Sequence, residues 1–167
     1  MSLVLARIDD RFIHGQVIVG WSRRLRPDRI VLCNDKIAAD PWQKRVYTAS
    51  VPPEMQVSVL NRESTVRLLA EQDGVANGED TILLVGTPAD MHDLHARGLS
   101  LAEVNVGGMH YVKGKSELLE FVYVDRGDLN AMRALNEEGV RLVAQTVPGG
   151  KAVELNTDLL VEMEKSL

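Results

Sequence analysis

The chain has 167 residues, 45% of them hydrophobic and 26% charged. That length suits one domain, burying roughly two thirds of its unfolded surface without help from disulfides or metals. The net charge of −5 and pI near 5.4 argue against a nucleic-acid partner, which selects for basic excess. The longest apolar run, Thr81 to Gly86, falls far short of the about 20 residues needed to cross a bilayer. Arg7 interrupts the apolar start at once, so a secretion signal is not expected. The single cysteine, Cys33, excludes an internal disulfide and fits a reducing cytoplasm. Its run, Ile30 to Cys33, predicts a small buried core residue in preference to a reactive thiol.

Taken in chain order, Leu3 to Ile8 reads as a first strand and Arg29 to Cys33 as a second. Between them Val17, Trp21 and Leu25 are spaced to bury one helical face, which Pro27 stops. Asp40-Pro41 places a capping residue before a proline at the first helical position and opens a helix through Ala49, ended by Pro52-Pro53. Val57 to Leu60 is a short strand, Gln72 to Asp80 a polar loop, and Thr81 to Gly86 another strand. Thr87-Pro88 starts a helix that closes at Gly98, and Glu103 to Val106 follows as a strand. After Phe121 to Val124, Asp128 begins a helix with Leu129, Met132 and Leu135 on one face, ended by Gly139. Val140 to Thr146 completes about seven strands, Gly149-Gly150 is a flexible turn, and Leu155 to Leu167 an amphipathic tail helix. Met91, Met132 and Met163 are expected in the core. Short, nearly continuous apolar strands alternating with helices predict an α/β single domain. Its central sheet is mostly parallel, with helices on both faces and right-handed crossovers.

Sites in such folds lie beyond the carboxyl ends of the strands. The first such loop, Asp9-Asp10-Arg11-Phe12-Ile13-His14-Gly15-Gln16, packs two carboxylates, a guanidinium, an imidazole and an amide into eight positions. His14 and Gly15 fall where a helix begins, so free N–H groups would favour an anion and Gly15 would let a phosphate approach the backbone. A neutral imidazole nitrogen is a good phosphoryl acceptor near pH 7. Arg11 could orient phosphoryl oxygens by paired hydrogen bonds, and Asp9 or Asp10 could hold the ring by its other N–H. The residues alone leave a second reading open: the aspartates cap a turn, Arg11 pairs with them, and His14 tops a helix. Phe12 and Ile13 could be exposed for docking or folded inward.

The run Arg7-Ile8-Asp9-Asp10-Arg11-Phe12-Ile13-His14-Gly15-Gln16-Val17 closely resembles the R-I-D-x-R-x-x-H-G-Q-V segment of sugar-phosphotransferase (PTS) IIB components of the mannose/fructose/sorbose family. The resemblance continues in Lys36 to Pro41, Pro52-Pro53, Val104-Asn105-Val106-Gly107-Gly108-Met109-His110-Tyr111, Gly114-Lys115, Val122 to Asp125 and Gln145 to Pro148. It is strongest over residues 3–150, and the whole chain, 1–167, is read as one IIB domain.

The resemblance implies that His14, through Nδ1, accepts a phosphoryl group from a phosphorylated IIA protein. The group then passes to a hexose held by the membrane IIC and IID components. Arg11 and its loop, with Arg7, Asp9, Asp10, Gly15 and Gln16, would bind or orient the phosphate. It also implies a seven-stranded, mostly parallel sheet and a cytoplasmic protein associated peripherally with the permease. Homo-oligomers are possible, and no cofactor or metal is expected. Asn105, Gly107 and Gly108 would flank the pocket or form a tight turn with positive φ.

His92 and His95, three apart on a helix, read as solvated residues in preference to a metal pair, and His110 as peripheral. Arg23, Arg24, Arg26 and Arg29 form a basic cluster that either stabilises a helix C-terminus or docks an acidic IIA surface. Two other functions compete. A free-standing domain could be a phosphorylation-dependent regulator, which the absence of neighbouring IIC and IID genes would favour. A nucleotide-binding enzyme is disfavoured, since neither G-x-G-x-x-G after the first strand nor G-x-x-x-x-G-K-[ST] is present.

Overall fold

The computed structural model describes residues 2–72 and 78–167. Seven strands form one sheet in the order β3-β2-β4-β1-β5-β8-β9. They are β1 (Ser2–Asp9), β2 (Arg29–Cys33), β3 (Gln56–Leu60), β4 (Asp80–Val85), β5 (Glu103–Gly108), β8 (Arg141–Ala144) and β9 (Val153–Glu154). Every pair is parallel except β8–β9. Strands β6 (Ser116–Leu119) and β7 (Val122–Val124) make a separate antiparallel hairpin, joined to the end of β5 by a Met109–Val122 bridge.

Helices cover both faces. On one, a wide i→i+5 turn over Gln16–Trp21 runs into α1 (Ser22–Leu25), beside α2 (Asp35–Ala38) and α3 (Pro41–Ala49). This face buries Val17 and Trp21 against Ile30, Leu32, Ile82 and Leu84. On the other lie α4 (Arg62–Gln72), α5 (Pro88–Ala96), α6 (Arg126–Glu137) and α7 (Thr157–Glu164), whose Leu69, Met91, Leu129, Met132 and Leu160 pack on Ile8, Val31, Val85 and Val106. The mostly parallel doubly covered sheet is thus as expected. Cys33 is buried, and burial pushes its thiol up to about 11, so it behaves as a core residue.

Four details differ from the sequence reading. The seventh strand of the sheet is β9, not Phe121 to Val124; the short apolar segment Val122–Val124 finds a local partner in β6 and never reaches the sheet. Helix α6 starts at Arg126, because Asp125 is the cap and Asp128 completes a capping box from the third position. Helix α4 was hidden by its polar face, although Asn61 accepts from Ser64 N at 2.8 Å as a helix-starting residue should. Gly107 and Gly108 lie inside β5 and not in a turn; neither has positive φ. Most of the polar loop expected from Gln72 to Asp80 lies outside the described residues.

The chain leaves β1 toward β2 and β5 toward β8, in opposite directions, which opens a crevice at the carboxyl ends of β1 and β5. Leu129 is fully buried on the α6 face that holds this half of the sheet. Leu129→Ala is expected to cost about 2–5 kcal/mol, read as a lower urea midpoint at unchanged slope.

Candidate functional site

Strand alternation puts Arg7 and Asp9 on one face of β1 and Ile8 on the other. Ile8 joins the core, while Arg7 and Asp9 are fully buried beneath the first loop. A buried guanidinium needs partners for its donors. Arg7 Nη2 donates to Asp9 Oδ2 at 3.1 Å and to Thr146 O at 3.0 Å; Nη1 donates to Gln145 O at 2.9 Å and to the Asn105 side-chain oxygen. Its guanidinium also lies 5.5 Å from the Trp21 ring centroid, and Trp21 Nε1 donates to the same Thr146 carbonyl.

The space for Arg7 comes from β5. Ile8 pairs with Val106 and Asp9 with Gly108, so Gly107 is the extra residue of a bulge. A Cβ on Gly107 would lie 1.9 Å from Arg7 Cζ, so only glycine fits there. Gly108 is also close: a Cβ there would sit 3.3 Å from Arg11 Nη2 and 3.4 Å from Asp9 Oδ1. The glycine pair therefore serves close approach and not turn geometry.

Asp9 gathers the site. Oδ1 accepts from Arg11 N and Nε, each at 3.1 Å, and Oδ2 from Arg11 Nη2 at 3.1 Å and Arg7 Nη2. His14 Nε2 lies 2.9 Å from Oδ2. Burial by itself pushes the Asp9 carboxyl up. The hydrogen bonds from His14 and Arg11 and the charge of Arg7 outweigh it and hold the carboxyl well below the usual range. Burial likewise pulls the Arg7 guanidinium below its usual value, against the pull of Asp9. An ionised Asp9 can only accept, so Nε2 carries the ring proton and donates it to Oδ2 as a hydrogen bond, which leaves Nδ1 with its lone pair. The nearest donor to Nδ1 is Gln16 N, at 3.3 Å. Gln16 Oε1 in turn accepts from Arg11 Nη2 at 2.8 Å.

The remaining candidates divide. Asp10 turns away from His14 and accepts from His110 N at 2.7 Å and from the His110 ring, so of the two aspartates only Asp9 touches the ring. His110 is thereby tied to the site's rim, a placement the sequence did not signal. Gly15 is exposed, with nothing within 4 Å of where its Cβ would be. Phe12 folds inward with a φ of 58°, its ring over Gly86 and edge-on to Tyr47, and Ile13 is buried. Gln145 and Thr146, whose carbonyls seat Arg7, lie in the Gln145 to Pro148 stretch of the resemblance but carry no expectation of a site role, since backbone acceptors leave no residue-type signal.

His92 and His95 both face Glu138, at 2.9 and 3.5 Å, and no group of three or more metal-binding side chains occurs among the described residues. Arg29 is engaged by Glu79, Ser58 and Gln56 at the start of β2, so the basic cluster ends at the amino-terminal end of the parallel strands, opposite the carboxyl end that carries the His14 loop. No helix among the described residues is long and apolar enough to cross a membrane.

A buried carboxylate thus fixes the imidazole through Nε2, with Arg11 on the same carboxylate. The family model for the PTS system sorbose subfamily IIB component matches residues 3–167. The sorbose-specific EIIB component of Klebsiella pneumoniae is 34% identical over 155 residues, 93% of each chain. The mannose-specific EIIAB component of Escherichia coli K12 is 33% identical over 165 residues, 99% of this chain; the chain spans 50% of that relative's length. The crystal structure of the IIBSor domain of the Klebsiella pneumoniae sorbose permease superposes with a TM-score of 0.86 at 31% identity, covering 100% of this chain and 99% of that one. The chain belongs to the sorbose subfamily of IIB components of the sugar phosphotransferase system, within the mannose/fructose/sorbose group.

Two outcomes are expected from this geometry. Gly107→Ala drives a methyl into Arg7 and should destabilise by about 1–3 kcal/mol, read by thermal or urea unfolding. For Asp9 the folded carboxyl lies below its unfolded value. Its stabilisation is therefore present above the usual carboxylate range, near pH 4, and is lost as pH falls through the folded value. Asp9→Asn should flatten the acid limb of stability against pH, and it should cost about 3–5 kcal/mol at pH 7 by leaving Arg7 without its counter-charge.

Proposed function

We propose that the chain is a phosphoryl carrier in which His14 Nδ1 accepts a phosphoryl group from a phosphohistidine on a IIA protein. It then passes the group to a hexose during uptake through IIC and IID membrane components. The observation that carries the reading is the Asp9–His14 contact: Nε2 is held at 2.9 Å from the carboxylate, which supports Nδ1 as the nucleophile.

In the first step Nδ1 attacks phosphorus, a new N–P bond forms, and the donor's N–P bond breaks with its electron pair returning to the donor ring. In the second, a sugar hydroxyl attacks the same phosphorus. The N–P bond to His14 breaks, its pair returns to the ring, and the hydroxyl proton leaves to solvent. Neither step needs the protein to do covalent chemistry beyond the imidazole; positioning and charge carry the rest. Arg11 Nη1 makes no hydrogen bond among the described residues and is the free donor for a phosphoryl oxygen. The Gln16 N–H, long at 3.3 Å to Nδ1, can turn to another such oxygen once Nδ1 is bonded. Arg7 acts through Asp9 and touches neither partner. The unit that carries out these steps is the whole chain, 1–167, working as a cytoplasmic protein against the membrane components.

Incubation with a phosphorylated IIA protein of the same subfamily should label His14 with an acid-labile, alkali-stable phosphate. His14→Ala should take no label; equal labelling of parent and variant would mean the wrong residue. Asp9→Asn should accept label roughly 10²–10⁴-fold more slowly, because the ring loses the partner that fixes its tautomer.

A further inference from the structure

The two faces of the sheet differ in how their cations are held. Every Lys and Arg of α4 and α6 is ion-paired: Arg62 with Asp35, Arg67 with Glu63, and Arg126 and Arg133 with Glu164. On the opposite face Arg23, Arg24 and Arg26 at the end of α1, Lys36 in α2, and Lys44 and Arg45 in α3 are all exposed. None of these six side chains makes an ion pair or hydrogen bond among the described residues. The acids nearby are engaged elsewhere. Asp28 accepts from Asp80 N, Asp35 from Arg62, and Asp40 from the first N–H groups of its own helix. Residues 1–55 hold nine Lys and Arg against six Asp and Glu, and residues 56–167 hold ten against eighteen. A chain of net charge −5 thus gathers its uncompensated positive charge on one face.

The same face exposes apolar side chains. Helix α3 buries no residue: Tyr47 turns inward, edge-on to Phe12 at 6.0 Å, while Trp42 and Val46, one turn apart, are 67% and 48% exposed. We propose that this face rests on an anionic lipid surface, with Trp42 and Val46 in the headgroup layer and the six cations over lipid phosphates. The contact is with lipid itself, needs no other protein, and stands apart from the carrier reading. Trp belongs at the boundary of water and hydrocarbon, and long basic side chains reach headgroups while their stems lie along apolar surface. A protein partner needs acids placed opposite each cation, whereas a fluid headgroup layer supplies negative charge wherever the cations lie. With only two apolar side chains entering, attachment is reversible and depends on charge. The Phe12–Tyr47 contact sets α3 beside the His14 loop, so that loop lies at the rim of the contact, open sideways to a membrane component.

The test mixes the purified chain with vesicles of phosphatidylcholine alone, or of equimolar phosphatidylcholine and phosphatidylglycerol, and follows sedimentation and tryptophan emission. Trp21 is buried, so a shift of emission on binding reports Trp42. The chain should bind the anionic vesicles at least about ten-fold more tightly, with emission moving to shorter wavelength, and high salt should abolish both effects. Trp42→Ser, and Lys44→Glu combined with Arg45→Glu, are changes at exposed positions that should leave the urea midpoint unaltered. Each should weaken vesicle binding about ten-fold or more, while Lys165→Glu at the end of α7 should not. No binding, equal binding to both vesicles, or binding that survives the charge reversal overturns the proposal. His14 labelling by phosphorylated IIA should be equal in parent and variants. Variants that lose label in step with vesicle binding would make this face a IIA dock, and the proposal fails. Absence of label in the parent bears on the carrier reading alone.

Discussion

The carboxylate of Asp9 sits fully buried at the end of the central strand, and it is shared by Arg7, Arg11 and His14. A carboxylate in that position is tolerable only because four N–H groups and the ring nitrogen surround it; with fewer partners it would take up a proton and cease to orient the ring. Each partner is bound by the same condition in return. Arg7, buried to the same degree, has Asp9 as its counter-ion among the described residues, and its remaining Nη donors go to two loop carbonyls and Asn105. The chemistry at the surface is therefore fixed by an electrostatic arrangement two layers beneath it.

The fold makes that arrangement possible through β5. A regular strand beside β1 would place a side chain where the Arg7 guanidinium lies; the bulge at Gly107 removes it. The loop after β8 closes over the same guanidinium with the carbonyls of Gln145 and Thr146, and Trp21 locks that loop from the helical side. Three strands and one helix thus converge on a single cation, which sets the position of Asp9 and, through it, of His14. Placing the support on strands and the imidazole on the loop gives a rigid base with a more accessible tip, which suits the proposed transfer between two proteins.

How much of this the sequence carried depends on the kind of signal. The sheet, its helices and the first loop were legible because apolar runs, Asp-Pro and Thr-Pro caps and the dense polar segment have local physical meaning. The choice between Asp9 and Asp10 was not, since adjacent carboxylates differ only in which face of the strand end they occupy, and that follows from the buried position of β1. The glycines were legible as special but not in their purpose: Gly107 makes room for a side chain exactly one strand away, a relation of register that no single segment states. Helix α4 escaped because its buried face is narrow, essentially Thr65 and Leu69 with Val66 and Leu68 half covered. Residues such as Gln145 and Thr146, which act through backbone oxygen, leave no trace in residue type.

The division of labour between the two aspartates bears on how an anionic group can approach a protein of net charge −5. Were both carboxylates directed at the ring, two negative charges would face an incoming phosphoryl group. Asp10 instead is held by His110 on the rim, and Asp9 is enclosed by two guanidinium groups, so its charge is more than balanced locally. The ring keeps a carboxylate's orienting hydrogen bond while the partner that shares this carboxylate, Arg11 at 35% exposure, is cationic. Coulomb attraction across a few ångströms at partly buried positions outweighs the more distant surface acids, which solvent and salt screen. The same enclosure that makes Asp9 tolerable in the core thus leaves the proposed phosphoryl site above it without a net negative charge from that carboxylate.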